Sequence, residues 1–414
     1  MKKKRVVVTG IGVVASNGIG KKNFWDSLKE GRSGIKEITS FDASSYPCHV
    51  AGEVTDFDPI DYIPPQLSKR IDRFAQFGLV STKMALEDSK IDIENERKER
   101  IAVLIGTSVG ALAIGERQHA IFLEKGYKRI NPFFATSIIP SSCASQIMIS
   151  YGITGPTQTI TTACASSTSA VGEAFEYIRN GRGDVAIAGG SETPVTPFAI
   201  ATFANVNLLS KHSGDPSTVY RPFSRDRDGL VFGEGAGIII LEEYEHAKKR
   251  KAKIYGEITG YGATCDAYHV MTPLPDSLQG SRAIQIALKD SGISPREVDH
   301  INAHGSGTIV NDRAETLMIK NVFGKHAYRL SVTATKSMTG HAMGGCGAME
   351  IVACFLMLEN QFLHPTINLH IPDPECDLDY VPNKGCKKEI KTIVKTSFGF
   401  GGYNSVVVLR RFEG

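Results

Sequence analysis

The sequence contains no long uninterrupted apolar run and little net charge. No apolar run approaches the ~18 residues that would suggest a membrane span, so none is predicted. The formal net charge is +3 over 414 residues, with 47 Lys and Arg against 44 Asp and Glu. This excess is small and its basic residues are dispersed, which argues against nucleic acid as a partner.

Cysteine is sparse and irregularly spaced. Eight cysteines occur at positions 48, 143, 164, 265, 346, 354, 376 and 386, without a CxxC pair and without the spacing typical of zinc ligands. The sequence therefore predicts no metal site. The thiols are expected to be reduced, as in a cytoplasmic protein, rather than joined in a disulfide framework.

The first twenty residues carry two superficial signals. A basic start followed by the apolar residues 6–15 resembles a signal peptide, but the β-branched run and the glycines within it favour a strand. Residues 10–15 also fit GxGxxA, a dinucleotide fingerprint that requires a helix to open at the glycines. Here the helix is delayed until about Lys21, so the pattern is interpreted as a tight turn from strand to loop.

Cys164 stands where a short β-branched run breaks into small residues and then into a helical stretch that reaches Arg179. The pattern predicts a strand, a sharp turn that carries the cysteine, and a helix. At a helix N-terminus, unpaired backbone N–H groups and the helix dipole favour the thiolate, so we expect a lowered pKa and a nucleophile. The local pattern alone fits a buried structural cysteine equally well, because free cysteine is among the most buried residue types.

Two histidine segments favour the nucleophile. His304 lies in NAHGSGT after an apolar run that starts at Val298, which places it at the end of a strand. His341 ends TKSMTGH and precedes glycines and a helix predicted over residues 348–358. A single histidine is more often a satisfied core residue. Two histidines beside glycines at element ends, with a cysteine upstream, are typical of nucleophilic catalysis.

Together these segments resemble the elongating β-ketoacyl-ACP synthases of type II fatty-acid and polyketide synthesis. TACASS around Cys164, NAHGSGT, TKSMTGH and SFGFGGYN follow the family's order, and the resemblance covers nearly the whole chain. It implies the thiolase-like fold, an α/β architecture in which two related halves place buried helices at the centre of αβαβα layers. It also implies an acyltransferase that performs decarboxylative Claisen condensation of an acyl group with malonyl-ACP.

The resemblance assigns roles residue by residue. Cys164 corresponds to the acylated nucleophile, while His304 and His341 correspond to the pair that activates and decarboxylates the malonyl unit. Lys336 matches a supporting residue that would stabilise nearby charge or fix the second histidine. Glu350 matches another, and because an unpaired carboxylate is costly to bury we expect a structural network rather than a direct chemical role.

Phe400 matches the family's acyl-pocket gate, and its backbone N–H and that of Cys164 are expected to hold the tetrahedral oxyanion. The sequence departs from the family nearby. Gly307 stands at the centre of the usual Thr-Ser-Thr, Tyr403 replaces the usual Thr after the glycine pair, and the Thr near the malonyl group is displaced. The chemistry is expected to survive, while the acyl substrate stays open. Contacts with substrate and pantetheine are expected at Val109, Phe203, Thr272, Ser306, Thr308 and Tyr403.

An internal echo, joined to the family resemblance, points to two related halves. With 42% hydrophobic and 22% charged residues, a chain of this length is globular and can form one large double domain. ALEDSKI at residues 85–91 precedes a strand, as ALKDSGI at 287–293 does. We expect an N-terminal half over residues 1–250 and a C-terminal half over residues 251–414. An insertion at about 116–151 corresponds to the part that forms cap and dimer contacts in the family.

The resemblance implies an acyl carrier protein as partner and no bound cofactor, because substrates arrive on the carrier's phosphopantetheine. A homodimer, or a heterodimer with a related ketosynthase or chain-length subunit, is expected in the cytoplasm. Carrier proteins are acidic, so basic residues are expected to receive them, although an ordinary solvated surface explains these residues as well. The candidates are Lys69, Arg70, Arg73, Lys125, Lys128 and Arg129.

Other functions would leave different marks. A thiolase would need a second cysteine in the C-terminal glycine loop, and residues 397–404 contain none. An initiating synthase would carry Asn in place of one histidine. A non-catalytic chain-length subunit would have lost the nucleophile, whereas Cys164 is present. A specialised polyketide or aryl-polyene ketosynthase acting in a heterodimer stays open, and Gly307 and Tyr403 favour it.

Overall fold

The computed structural model describes residues 3–414 as a mixed α/β fold. The strands are β1 (Val6–Ala15), β2 (Gly18–Ile19), β3 (Lys36–Glu37), β4 (Val50–Ala51), β5 (Ile101–Gly106), β6 (Thr157–Ile160), β7 (Val185–Glu192), β8 (Gly235–Glu243), β9 (Gly256–Cys265), β10 (His300–Asn302), β11 (Ser331–Thr333), β12 (Phe362–Leu363), β13 (Cys386–Lys387), β14 (Thr392–Gly399) and β15 (Tyr403–Arg410). The helices are α1 (Lys21–Glu30), α2 (Pro65–Ser68), α3 (Arg73–Ser89), α4 (Leu112–Lys125), α5 (Phe134–Ser137), α6 (Ser142–Tyr151), α7 (Ser166–Arg179), α8 (Pro197–Asn205), α9 (Tyr244–Lys249), α10 (Leu278–Ser291), α11 (Ile309–Phe323), α12 (Lys336–Thr339) and α13 (Cys346–Asn360).

The main strands form one continuous sheet whose two ends mirror each other. Their order is β6-β5-β7-β8-β1-β9-β15-β14-β10-β11. On the N-terminal side β5 runs parallel to β6 and β7, and β8 is antiparallel to β7 and β1. On the C-terminal side β10 runs parallel to β11 and β14, and β15 is antiparallel to β14 and β9. The five strands β6-β5-β7-β8-β1 are thus mirrored by the five strands β11-β10-β14-β15-β9, and the two sets meet where β1 pairs with β9.

Helices α7 and α13 form the centre of the molecule. All but the last two residues of α13 are buried, as expected for a helix that is apolar on every side. Close packing requires glycine here, because a Cβ on Gly172 would lie 2.3 Å from the Tyr261 ring and one on Gly347 would lie 2.2 Å from Thr168 Oγ1. By length and composition the segment Met343–Asn360 would pass for a membrane span, but 89% of it is buried in this core.

The glycines of the GxGxxA pattern lie inside β1, where α3 crosses the strand. A Cβ on Gly10 would lie 2.2 Å from Ala85 O, and one on Gly12 would lie 2.0 Å from Ser81 O. The predicted tight turn at these glycines is therefore wrong, because they serve close contact between helix and strand. Helix α1 begins at Lys21, as predicted.

The C-terminal half repeats this contact between α10 and β9. A Cβ on Gly260 would lie 2.2 Å from Ala287 O, the same distance as between Gly10 and Ala85. Ala85 and Ala287 occupy the same place in the two echoed segments of the sequence. The echo therefore marks the outer helix of each half, held against its strand by backbone contact.

The insertion between β5 and β6 carries α4, α5 and α6 and exposes much apolar surface. The neighbouring strand β6 ends the sheet, and its outer edge has no partner strand within the described chain. An apolar surface beside an open strand edge is typical of a subunit interface. The exposed large side chains of this region are Phe122, Leu123, Tyr127, Phe133, Ile138, Ile139 and Ile149.

Candidate active site

Cys164 lies in a strained turn between β6 and α7. The residue before it, Ala163, has a φ of 50°, a conformation that residues other than glycine seldom adopt. Thr162 N–H donates to Ser166 Oγ (2.9 Å) and Ser166 Oγ–H donates to Ala163 O (2.5 Å), so the start of the helix holds the bend. Helix α7 starts two residues after the cysteine and ends at Arg179, as predicted. Such strain is characteristic of functional positions.

The prediction that the resting Cys164 thiol is readily ionised is wrong. Burial, with a smaller contribution from the Cys346 thiol, raises the pKa of Cys164 to about 12 despite the nearby Lys336 ammonium. The loss of hydration of a charged sulfur therefore outweighs the attraction of the Lys336 ammonium, and the thiol is protonated at neutral pH. All eight cysteines are free, as predicted.

His304 follows β10 in a loop that a buried carboxylate holds. Glu315 on α11 accepts hydrogen bonds from the backbone N–H groups of His304 (2.7 Å) and Gly305 (2.8 Å). The Lys336 ammonium donates to His304 O (2.6 Å) and lies 3.2 Å from His304 Nδ1. An ammonium group can only donate, so Nδ1 is the acceptor and we assign the ring proton to Nε2.

His341 reaches the same pocket from the loop between α12 and α13. Its Nδ1 accepts a hydrogen bond from Met343 N–H (3.0 Å), which again assigns the ring proton to Nε2. Its backbone N–H donates to Val231 O (2.8 Å) and fixes the loop. The rings of His304 and His341 stand edge to face with centroids 5.3 Å apart, and both line the pocket that contains Cys164.

Both imidazoles are neutral. Burial lowers the pKa of His304 well below its usual value, and Lys336, His341 and Lys395 lower it further. Burial also lowers the pKa of His341 well below its usual value, with further lowering by Lys336 and Lys395. Two neutral N–H donors beside a thiol are suited to stabilise an anion that develops on a thioester oxygen.

Lys336 and Glu350 form a buried ion pair behind His304. Lys336 Nζ and Glu350 Oε1 are 2.6 Å apart, and both side chains are buried. Burial lowers the pKa of Lys336, but Cys346 and Glu350 outweigh this effect, so the pKa is raised and the group stays charged. The hydrogen bonds of the described residues join Lys336 to the first histidine rather than to His341, which corrects one of its two predicted roles. Glu350 lies in the expected network.

One pocket brings together the thiol, both imidazoles and an apolar channel. Val109 and Tyr403 lie outside its lining, contrary to expectation. Side chains alternate between the faces of a strand, and at the start of β15 Asn404 takes the inward position while Tyr403 is 40% exposed. Val109 follows β5 and is 38% exposed. The predicted substrate residues that do line the pocket are Phe203, Thr272, Ser306 and Thr308, and the predicted gate Phe400 lines it as well.

The predicted gate loop packs directly against the turn that carries Cys164. An ideal Cβ on Gly399 would lie 2.6 Å from Thr162 O and 3.1 Å from Cys164 N. A side chain at this position would therefore press on the turn and crowd the backbone N–H of Cys164. Only glycine leaves that space open.

Phe400 occupies the tip of this loop. Its ring stacks on Phe203 with centroids 6.1 Å apart. Gly401 and Gly402 have φ values of 87° and 79°, which only glycine adopts easily. Gly401 N–H donates to Val270 O (2.7 Å), so the loop is also anchored to the segment between β9 and α10.

The departure at Gly307 has a steric cause. Its φ is 72°, and a Cβ there would lie 2.5 Å from the ring of Tyr220, whose hydroxyl donates to Ser306 O (2.8 Å). The hydroxyls of Ser306 and Thr308 are 2.9 Å apart. Glycine therefore lets the loop lie over Tyr220 and keeps both hydroxyls beside the pocket.

Sequence reasoning missed several charged or polar residues that hold the site. Glu192 at the end of β7 accepts hydrogen bonds from Thr107 Oγ1 (2.7 Å), Gly110 N–H (2.8 Å) and Gly344 N–H (3.2 Å), so it joins loops of both halves. A charged residue within an otherwise apolar strand or helix is the signal that would have found such groups. Others are Asp266, Glu315, Lys395 and Asn404.

The basic residues predicted to receive a carrier protein divide into two groups. Arg73 is engaged within the fold, because its guanidinium lies 2.7 Å from Glu234 and donates to Val54 O (2.7 Å), which removes it from the prediction. Arg70 is exposed and lies over the Phe133 ring of the insertion. The other exposed candidates are Lys69, Lys125, Lys128 and Arg129.

Comparison with known proteins finds relatives over the length of the chain. Residues 3–247 match the family model described as Beta-ketoacyl synthase, N-terminal domain, and residues 255–370 match Beta-ketoacyl synthase, C-terminal domain. The 3-oxoacyl-[acyl-carrier-protein] synthase 2 of Synechocystis sp. is 45% identical over 413 residues, which are 100% of this chain and 99% of that protein. The protein of the same name from Staphylococcus aureus is 43% identical over 410 residues, 99% of each.

Two solved structures share the fold over nearly the whole chain. A type II PKS acyl-carrier protein in complex with its ketosynthase bound to the hexaketide gives a TM-score of 0.92 at 38% identity, covering 99% of this chain and 100% of that chain. The ishigamide ketosynthase/chain length factor gives a TM-score of 0.93 at 34% identity, with the same coverage. The predicted thiolase-like α/β fold is confirmed.

Proposed function

The chain belongs to the β-ketoacyl synthase family, and we propose that it condenses an acyl group held on Cys164 with malonyl-ACP. The products are β-ketoacyl-ACP and carbon dioxide. One observation carries the proposal: Cys164 shares a single pocket with two neutral imidazoles whose ring centroids are 5.3 Å apart. The thiol suits thioester exchange, and the imidazoles suit an enolate oxygen.

The first step is transfer of the acyl chain. The sulfur of Cys164 attacks the thioester carbonyl of acyl-ACP, and the bond between the acyl carbon and the pantetheine sulfur breaks. The proton of the Cys164 thiol leaves with the pantetheine thiol. Because the thiol is protonated in the resting pocket, loss of this proton is part of the step rather than a state that precedes it.

The second step is loss of carbon dioxide from the malonyl unit. The electron pair of the breaking carbon–carbon bond forms an enolate, whose oxygen accepts hydrogen bonds from Nε2–H of His304 and Nε2–H of His341. Preorganised donors of this kind are worth about 2.7–4 kcal/mol each when removed. Lys336 keeps the proton of His304 on Nε2 by occupying Nδ1.

The third step joins the two carbons. The enolate carbon attacks the acyl-Cys164 carbonyl, and the tetrahedral oxyanion is held by the backbone N–H groups of Cys164 and Phe400. Collapse expels the Cys164 thiolate, which takes a proton from water and restores the resting thiol. The space that Gly399 leaves beside Cys164 N supports this assignment.

The proposed partner is an acyl carrier protein, and the enzyme is proposed to need no bound cofactor. The carrier's phosphopantetheine would enter past Ser306, Thr308 and Thr272, which line the pocket. Lys69, Arg70, Lys128 and Arg129 are the proposed contacts for the acidic carrier. A complex of carrier protein and ketosynthase among the similar structures supports this partner. The proposed location is the cytoplasm.

We further propose that two copies associate through the open edge of β6 and the apolar insertion. The synthase 2 relatives favour a primary fatty-acid role for this chain. The ketosynthase/chain length factor among the similar structures favours a second candidate, a polyketide or polyene heterodimer. In that assembly this chain would be the catalytic subunit, because it retains Cys164. The molar mass of the purified chain in solution distinguishes a self-associating subunit from one that needs another chain.

The test incubates the purified protein with acyl-ACP and malonyl-ACP and analyses both carriers and the enzyme by intact-mass spectrometry. The proposal expects β-ketoacyl-ACP lengthened by one two-carbon unit, and an acyl adduct on the enzyme when malonyl-ACP is withheld. The matched control is Cys164→Ala, which should show no adduct and no condensation. An adduct that survives this substitution would remove Cys164 from the mechanism.

A further inference from the structure

Lys395 is a second buried lysine beside the active site, and the steps above give it no role. It lies in the middle of β14, and its side chain is fully buried. An ammonium group is costly to bury unless charged or polar partners surround it. Its partners therefore indicate what it does.

Oxygen atoms surround the Lys395 ammonium. Nζ donates to the backbone oxygen of Thr396 and to Ser397 Oγ (3.0 Å). It also lies 2.8 Å from Glu350 Oε2, where the contact is an ion pair rather than an aligned hydrogen bond. An ammonium has three donors, so these contacts fix its position in the core.

Glu350 is thereby held between two positive charges. Its Oε1 lies 2.6 Å from Lys336 Nζ, and its Oε2 lies 2.8 Å from Lys395 Nζ. Without Lys395, one oxygen of a buried carboxylate would have no counter-charge, and the carboxylate would be free to turn. The position of Lys336 against His304 Nδ1 depends on this carboxylate, because the same ammonium contacts both groups.

Lys395 also reaches the nucleophile side of the pocket. Ser397 Oγ, which accepts from Lys395, lies 2.8 Å from Thr168 Oγ1 on α7. Helix α7 is the helix that follows Cys164. The Lys395 ammonium thus connects Glu350 with α7, the helix that follows Cys164.

We propose that Lys395 is a positioning residue for decarboxylation, which holds Glu350 against Lys336 and so keeps His304 as an Nε2–H donor. The inference rests on the proposed function. Lys395 does not contact the pocket lining directly and acts through Glu350 and through its charge. The titratable groups that face it and the two imidazoles are Lys336, Glu350, Glu315, Cys164, Cys346 and Cys354.

The charge of Lys395 has a consequence that a packing role would lack. Burial lowers the pKa of both histidines, and Lys395 lowers both further. Removing its positive charge therefore moves both pKa values upward, towards neutrality. As the pH is lowered, decarboxylation by the variant should therefore be lost at a higher pH than in the wild type. An imidazolium carries a proton on Nδ1, so it can no longer accept a hydrogen bond from Lys336 (at His304) or from Met343 N–H (at His341).

The deciding variant is Lys395→Gln, which keeps N–H donors for Thr396 O and Ser397 Oγ but removes the charge. Lys395→Met removes both, and Lys391→Gln is the matched control at a lysine whose side chain is 55% exposed. The measurement is carbon dioxide release from malonyl-ACP across pH, with acylation of Cys164 followed in parallel. We expect the Gln and Met variants to lose about 10- to 100-fold in release, the loss seen when hydrogen-bonding partners that orient metal-ligating histidines are removed.

The acid limb of the pH profile should move to higher pH in both charge-deleted variants and stay in place in the Lys391 control. Ammonium chloride should partly restore Lys395→Ala, whereas tetramethylammonium chloride at the same ionic strength should not. A Gln variant with the wild-type rate and pH profile would overturn the inference.

If neither charge-deleted variant folds, Lys395→Arg provides the test. This variant retains the positive charge, so an acid limb displaced from its wild-type position would also overturn the inference. Absence of release in the wild type would instead contradict the proposed function.

Discussion

The two halves of the molecule place their candidate active-site residues at corresponding positions but surround them with different groups. In the N-terminal half the chain leaves β6, bends at Cys164 and enters the central helix α7. In the C-terminal half it leaves β11, passes Lys336 and His341 and enters the central helix α13. The first segment is built of small uncharged residues around a strained bend at Ala163. The second is surrounded by buried charge.

In the proposed mechanism, this difference separates the two tasks of the reaction. Holding an acyl chain requires a thiol in a dry, close-fitting turn, and desolvation keeps that thiol protonated until substrate arrives. Releasing carbon dioxide requires donors with fixed tautomers, and charged groups at fixed distances supply them. The two similar halves thus contribute differently to one site. Close packing determines the surroundings of Cys164, and buried charged groups determine those of His304 and His341.

The comparison predicts its largest effect at the histidines. His304→Ala or His341→Ala should reduce carbon dioxide release from malonyl-ACP by about 10²- to 10³-fold, because each removes one donor from the enolate oxygen. Both variants should still form the acyl adduct on Cys164, measured by intact mass. His370→Ala changes an exposed histidine and serves as control. If either variant decarboxylated at the wild-type rate, the decarboxylation role assigned to that histidine would be wrong.

A smaller effect concerns the pH dependence of the thiol. Alkylation of Cys164 by iodoacetamide should rise about tenfold per pH unit from about pH 7 to about pH 9, because burial has raised the pKa to about 12 and the thiolate fraction grows tenfold per unit below it. Peptide mass spectrometry measures the labelling, and exposed Cys265 in the same samples reports on the reagent. If the alkylation rate instead reached a plateau near neutral pH, Cys164 would be a thiolate there, as expected from its position at the helix N-terminus alone.

The smallest effect is expected at Tyr403. An ideal Cβ on Gly401 would lie 2.8 Å from its ring, so Tyr403 covers the gate loop from outside the pocket. Tyr403→Thr should change turnover by no more than about twofold, as for most surface substitutions, and leave acyl-length preference unchanged. Competition among short, medium and long acyl-ACPs measures the preference. Phe203→Ala changes a residue of the pocket lining and should shift the acyl-length preference. A shift caused by Tyr403→Thr would show that Tyr403 also contacts the acyl chain.

Local patterns of the sequence were enough for the elements and for much of the site. The β-branched run before Cys164 predicts β6, the small residues predict the turn, and the following stretch predicts α7 to its last residue. The apolar run before His304 likewise places that histidine after β10. These inferences succeed because strand and helix periodicity, glycine and β-branched residues act over a few neighbouring positions.

The sequence by itself also determined the family and the thiolase-like fold, since four motifs in order carry the resemblance. Only the tertiary structure decided which way side chains face and what surrounds them. Tyr403 faces away from the pocket, Lys336 reaches His304 rather than His341, and Lys395 meets Glu350 although they lie in different elements. Burial reversed the ionisation expected for Cys164. Desolvation and ion pairing depend on residues far apart in the chain, so no local pattern contains them.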